Sequence, residues 1–501
     1  MARTVSRWTG ALLLVATVVA CGGSGTSNFK NGPNGGGGGG GVNNGPLGGG
    51  STSGSGGGAS SGTGAGGPGG SMGVPQNCPG GGSTTISGTI YDPAMQNPLY
   101  NITVYVPKSA ALPPLASGAS CNTCASLYPE ILASAVTDAN GNFKIPNAPW
   151  GPNLPLVVQT GKWRKEYTLA NVTQCQDNPQ PDKTLRLPKN AIHNDGNLPD
   201  IAISTGGADS LECLLMRIGI DTDEYAAGPG GPGHLHIFTG HNGATTAPVS
   251  PESYLSLWDS TASMMKYDVT LLSCEGVETR NLTPQNQQSL VDYSAAGGRV
   301  FASHYHYAWF NTGPFSNDNL ATWTPGGNQI DDSMSFPGDV ITTLANGTSF
   351  PEGVALKHWL GTVNALTNGQ LPIWFTRHNA DVGPMNRPPS QPWIDLAPST
   401  PAPNATMYFS FDTPIGKSAP CGRVVYSDLH VSGGPDTNAP GVPVDYPQMR
   451  HMMVSNVVPS GCAMHPLTPQ EKALEFMIFD LSSCLIPIGQ VPMAPMSGPP
   501  R

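Results

Sequence analysis

Charge is scarce in this chain. Of 501 residues, 23 are Lys or Arg and 33 are Asp or Glu, so 11 % are charged and the formal net charge is −10. An ordinary soluble domain is about 25 % charged. There is no Lys/Arg run and no basic patch, which excludes a nucleic-acid surface of the usual electrostatic kind. No apolar stretch reaches the roughly 18 residues of a transmembrane helix. Turn-formers are abundant instead: 65 Gly and 50 Pro, about twice the usual share. Low charge with many turns suits an exported, loop-rich protein.

The first twenty residues read as an export signal. Arg3 and Arg7 precede a short apolar run from Ala11 to Ala20, too short to span a bilayer. The run ends Val18-Val19-Ala20-Cys21-Gly22. This resembles the bacterial lipobox. The resemblance implies cleavage before Cys21, acylation of Cys21 and anchoring in membrane lipid. Gly22, rather than Asp, after the Cys implies the outer membrane. An ordinary signal peptide with a chance Cys is the alternative. Residues 21–83 are almost all Gly, Ser, Asn and Thr, with an unbroken run from Gly35 to Gly41. Such a segment buries too little apolar area to offset its ordering entropy. It is expected to be a tether with a root-mean-square span of about 40–50 Å.

From about 84 to 190 the pattern is short alternating strands with turns. Ile86 to Tyr91, Asn101 to Val106, Ala135 to Thr137, Phe143 to Ile145 and Leu156 to Gln159 read as strands. Asp92-Pro93 and Asp138-Ala-Asn-Gly141 read as turns. The spacing predicts a β-sandwich. The order SGTIYDP, NITVYVP and TDANGNF resembles carboxypeptidase regulatory-like domains, which are small immunoglobulin-like sandwiches. The resemblance implies a spacer or adhesive module.

From 198 to 485 strands alternate with helices. Strands are expected at Ile201–Ser204, His234–Phe238, Tyr267–Leu272 and Arg299–Ser303. Helices are expected at 209–220, 254–265 and 285–296. The alternation predicts an α/β domain with a mainly parallel sheet. The pieces IAISTGGADSLECLLMRIGI, YDVTLLSCEG, YSAAGGRVFASHYHYAWF, GRVVYSDLHV and TPQEKALEFMIFDLSSC resemble, in this order, the class I glutamine amidotransferase-like fold and within it ThuA-like proteins. The Pro- and Asn-rich stretch at about 311–404 reads as an insertion, and 486–501 as a Pro-rich tail.

In open α/β sheets, ligands bind outside the carboxyl ends of the strands. Three such ends are polar here: Thr205-Gly206-Gly207, Ser273-Cys274-Glu275-Gly276 and Ser303-His304-Tyr305-His306-Tyr307. Cys274 is a candidate nucleophile, with His304 or His306 as its base. In amidotransferases, however, the nucleophile follows the strand that is Arg299–Ser303 here. Ser303-His304-Tyr305 stands at that position, so the resemblance implies that amidotransferase chemistry is lost. His304 matches the strand-end His of ThuA-like proteins. His234 and His236 repeat the His-x-His spacing of His304 and His306, and together these four could chelate a divalent metal such as zinc or iron. Glu275, His306, Asp428 and His430 are further candidates for the crevice, as are Arg377, His378 and Asn379. Satisfied core histidines among aromatic residues are the alternative at each position.

Ten cysteines in an exported chain favour disulfides. Cys78, Cys121, Cys124 and Cys175 could form two bridges within the sandwich. An odd number then remains in the α/β part, so at least one thiol should stay free. The expected function is that of a cell-envelope lipoprotein whose non-catalytic amidotransferase-like domain binds a cell-wall or extracellular sugar or another partner. The alternative is an envelope hydrolase acting on a sugar or peptide through His304, with a metal or thiol.

Overall fold

The computed structural model describes residues 78–121, 127–240, 253–278, 282–430, 462 and 464–495. The export signal, Cys21, most of the tether and Cys124 lie outside these residues.

Eight strands build the first part: β1 Thr85–Tyr91, β2 Thr103–Pro107, β3 Ile131–Val136, β4 Asn142–Ile145, β5 Gly151–Thr160, β6 Trp163–Val172, β7 Asp177–Pro179 and β8 Leu185–Arg186. One sheet has the order β4-β1-β7, with β8 also on β1, and the other has the order β3-β2-β5-β6. Alternation drives the packing. Ile86 and Ile90 from one sheet and Val104, Val106, Leu154, Leu156 and Val158 from the other enter the same core, as sandwich strands require. The turn in TDANGNF has a specific cause. Asp138 Oδ1 accepts from the backbone N–H of Asn140 at 2.8 Å and of Asn142 at 2.9 Å, an Asx turn. Gly141 follows at φ +73°, and a Cβ there would lie 2.6 Å from Pro98 Cβ.

The second part is a ten-stranded mixed sheet. Its strands are β9 Ile201–Ser204, β10 Tyr225–Ala227, β11 Leu235–Phe238, β12 Val269–Leu272, β13 Arg299–Ser303, β15 Phe336–Val340, β16 Leu371–Ile373, β18 Gln391–Leu396, β19 Thr406–Thr413 and β20 Gly422–Ser427. A separate two-stranded ribbon pairs β14 Thr322–Trp323 with β17 Ala380–Asp381. The large sheet has the order β10-β11-β9-β12-β13-β20-β19-β18-β15-β16. Pairing is parallel from β10 through β20 and antiparallel from β20 to β16. The expected parallel pairing therefore covers six of the ten strands, and the other four pair antiparallel. The central strands are buried along their length, as parallel strands covered on both faces are.

The helices are α1 Leu211–Arg217, α2 Thr261–Met264, α3 Pro284–Ala295, α4 Ala308–Asn311, α5 Pro351–Thr362 and α6 Pro469–Ser482. Capping boxes set the starts of α3, through Thr283 and Asn286, and of α6, through Thr468 and Glu471. The single helix expected over 254–265 is broken. A 3-10 turn covers Tyr254–Ser256, and Ser260 then caps α2 by accepting from the Ser263 N–H at 3.2 Å. Much of the stretch expected to be an insertion, 311–404, is sheet: β15, β16 and β18 all fall within it. Proline masked them in the sequence. Pro337 and Pro372 stand opposite each other between β15 and β16.

The two parts share a hydrophobic core. Tyr100 stacks on Phe476 of α6 at 5.6 Å, and Trp163 meets Phe479 edge-on at 5.5 Å. Asn97 Nδ2 donates to Glu475 Oε2 at 2.7 Å. A buried Arg217–Glu471 ion pair ties α1 to α6. Cys78–Cys175 closes the sandwich, and Cys213–Cys462 lies in the α/β part. The expectation of a second bridge within the sandwich is not met for Cys121, which joins Cys421 across the two parts. The cause is close packing: a Cβ on Gly297, just before β13, would lie 2.6 Å from the Cys121 nitrogen. Cys484 is also disulfide-bonded, and Cys274 is the free cysteine among the described residues. Disulfides of this number suit an exported protein. No helix among the described residues is long and apolar enough to cross a membrane.

Candidate functional site

The carboxyl ends of β9, β12, β13 and β20 converge. The loop after β9 lies directly against the loop after β12. Ala208 N–H donates to the Cys274 carbonyl at 3.0 Å, and a Cβ on Gly206 would lie 2.0 Å from that same oxygen. Only glycine permits this approach. Cys274, His304 and His430 extend from three of these ends. One ligand atom from each lies within 4.8 Å of the other two, and all three residues are buried.

Cys274 Sγ is 3.2 Å from His304 Nδ1. Burial pushes the thiol up to about 12. Burial also drives His304 well below the usual imidazole range, helped by His430 and the Arg377 guanidinium. The pair is therefore a neutral thiol beside a neutral imidazole, not a thiolate–imidazolium nucleophile. His430 is held to about 3, chiefly by burial. Its Nδ1 is 3.3 Å from the Phe375 carbonyl, and Gln470 Nε2 donates to its own carbonyl at 3.1 Å. His430 Nε2 is buried without a hydrogen bond, and the Asn379 side chain faces the His304 ring. Phe375 at φ +54° and His304 at φ +42° occupy the left-handed region, which costs a non-glycine residue about 1–3 kcal/mol.

A polar frame holds these groups. Tyr426 Oη lies 2.9 Å from the His304 carbonyl and 2.7 Å from Asp428 Oδ1. Asp428 Oδ2 accepts from the Asn379 N–H at 2.9 Å, and burial raises Asp428 to about 6. Asn379 Nδ2 donates to the Thr324 and Gly326 carbonyls. Arg377 is fixed by two bonds to Asp332, at 2.6 and 3.2 Å. Ser303 Oγ donates to Asp209 Oδ2 at 2.6 Å, so its partner is a carboxylate rather than a histidine. Glu275 is buried with Oε1 unbonded, and burial alone raises it to about 7.

The four-histidine set is not assembled. The expectation that His304 and His306 share a strand face fails because β13 ends at Ser303 and a 3-10 turn runs from His304 to Tyr307. His306 turns inward: its Nε2 is 3.0 Å from the Ser273 carbonyl, and its Nδ1 accepts from Trp309 Nε1 at 3.1 Å. Both ring nitrogens are engaged, and burial holds it to about 4. His234 Nδ1 is 2.9 Å from Glu224 Oε2, which raises its pKa. Glu224 Oε1 also accepts from the Ile192 N–H at 2.8 Å, so that pair is a structural tie. His236 packs its ring against Tyr267 at 5.3 Å. His378 is paired to Asp381 at 2.9 Å. Tyr426, Phe375 and Asp209 carry no sequence signal of a site of their own. The alternating run VVYSDLH was the available signal for Tyr426, because its side chain lies two positions from Asp428.

No protein-family model and no curated protein matches the sequence. Some solved structures are similar in part. A cytoplasmic protein from Salmonella typhimurium is 11 % identical with a TM-score of 0.26, covering 46 % of this chain and 87 % of its own. A ThuA-like protein from Bacteroides uniformis is 12 % identical with a TM-score of 0.24, covering 47 % and 81 %. A type II cohesin–X-dockerin complex from Acetivibrio cellulolyticus is 17 % identical with a TM-score of 0.15, covering 28 % and 74 %. Likenesses this weak carry no argument about family or activity.

Proposed function

We propose that this chain is a cell-envelope lipoprotein, held at the outer membrane through acylated Cys21. Its domains are the tether at 21–83, a carboxypeptidase regulatory-like sandwich at 84–190 and an amidotransferase-like α/β domain at 198–485. The α/β domain binds a cell-wall or extracellular sugar, or a partner carrying one, at the carboxyl ends of β12, β13 and β20. The observation that carries this reading is the cluster of buried side chains there, Cys274, His304 and His430, with His430 Nε2 unbonded. Buried polar groups are normally satisfied, and atoms left open at a strand-end crevice are suited to a ligand. The neutral state of Cys274 and His304 supports binding over covalent amidotransferase chemistry. The 3.2 Å Cys274–His304 contact supports a second reading, hydrolysis of a sugar or peptide through His304. Calorimetric titration of the detergent-solubilised full chain with soluble cell-wall fragments tests binding. Heat that disappears in Asn379→Ala supports it, and no heat with any fragment contradicts it. Release of cleaved fragment would favour the hydrolase. Labelling with radioactive fatty acid, lost in Cys21→Ser, tests the anchor.

A further inference from the structure

We propose that Cys274, His304 and His430 are the three protein ligands of one borderline-soft divalent metal ion of the zinc class, with a fourth position left for an anionic oxygen ligand. The inference rests on reading the strand-end crevice as the working site, and it names what that site holds. It differs from the four-histidine set expected from the sequence, whose His234 and His306 are engaged elsewhere.

Three observations carry it. One ligand atom from each of the three side chains lies within 4.8 Å of the others, a separation that ligand atoms around a single ion satisfy. Each side chain comes from a different strand end, so the set is preorganised by the sheet rather than by one flexible loop. His430 Nε2 is buried with no hydrogen-bond partner, an arrangement a metal would relieve, and His304 turns its Nδ1 to Cys274 Sγ at 3.2 Å. The donors, one sulfur and two imidazoles, suit zinc and exclude the oxygen-seeking Mg²⁺ and Ca²⁺.

A neutral imidazole is the form that donates a lone pair to a metal, and a thiol must lose its proton to bind one. On binding, the S–H bond breaks, the sulfur lone pair forms the bond to the metal, and the proton leaves to solvent. A divalent ion with one thiolate carries a single net positive charge. Asp332 neutralises the nearby Arg377. The net charge of the loaded site therefore favours hydroxide or a carboxylate as the fourth ligand.

The test uses the detergent-solubilised full chain, stripped with chelator and reloaded with Zn²⁺ or Co²⁺ as the probe. About one zinc per chain should survive dialysis, and the cobalt form should show thiolate-to-cobalt charge transfer. X-ray absorption of the zinc form should show one sulfur neighbour and two imidazoles. Cys274→Ser should abolish the charge-transfer band and weaken zinc binding at least about tenfold. His234→Ala should change neither. Should Cys274→Ser fail to fold, X-ray absorption on the unaltered chain decides. No retained zinc, or a metal sphere without sulfur, overturns the proposal. Fragment binding by a zinc-free chain would sink the metal site alone. Zinc held by a chain that binds no fragment would sink the sugar-binding reading alone.

Discussion

The Tyr426 hydroxyl carries one proton but faces two acceptors, the His304 carbonyl at 2.9 Å and Asp428 Oδ1 at 2.7 Å. Tyr426→Phe would leave buried acceptors unsatisfied, which costs about 1–3 kcal/mol. Denaturant titration should show that loss, and an unchanged midpoint would remove Tyr426 from the frame of the site. Gly206 is the second sensitive residue. Gly206→Ala sets a methyl against the Cys274 carbonyl, where the ideal Cβ position is 2.0 Å away. The backbone must shift, so about 1–3 kcal/mol of stability should be lost, together with ligand binding. Wild-type stability in Gly206→Ala would mean the two loops are not packed as described. At this scale the sequence was informative where a residue ends a strand. Cys274, His304 and His430 could be found because each follows a buried apolar run. His306 was misplaced because period two holds only while a strand continues, and His304 at φ +42° ends it.

At the scale of elements, α6 packs on the sandwich through a buried pair of acids. Burial raises Asp92 to about 6, and burial together with Asp92 raises Glu475 well above the usual carboxyl range. Lys183 and Lys472 oppose these shifts only weakly. Raised acid pKa values mean that the folded state keeps protons the unfolded chain releases above about pH 4. Stability must then fall as pH rises from about 4 through about 6, and further as Glu475 ionises. The melting temperature should drop between about pH 5 and about pH 8, and Glu475→Gln should flatten that drop. An equal slope in the variant would rule out the pair as its source. The order of strands and helices was readable from composition because β9, β12 and β13 are continuous apolar runs between helical periods. The antiparallel half was not. FPGDV in β15 and QPWIDL in β18 carry proline, which normally argues against a central strand.

Over the whole molecule, Cys121–Cys421 spans a sequence separation of 300 residues and staples the sandwich to the α/β sheet. Cys121→Ser with Cys421→Ser should lose about 2–5 kcal/mol, read as a lower thermal midpoint of one cooperative transition. Two separate transitions in the oxidised parent would contradict the shared core. Cysteine spacing alone left this bridge unreadable, because connectivity depends on which surfaces meet.

The proposed working site lies at the carboxyl ends of β12, β13 and β20. A thermal-shift comparison of the full chain with His304→Ala, across divalent metals, sugars and cell-wall fragments, tests it most directly. A ligand that binds only the folded state raises the melting temperature by mass action, by about 2.7 kcal/mol of stability at a hundredfold excess over Kd. The expected result is a shift in the parent that vanishes in His304→Ala. A flat panel, or a shift of equal size in both, would contradict it.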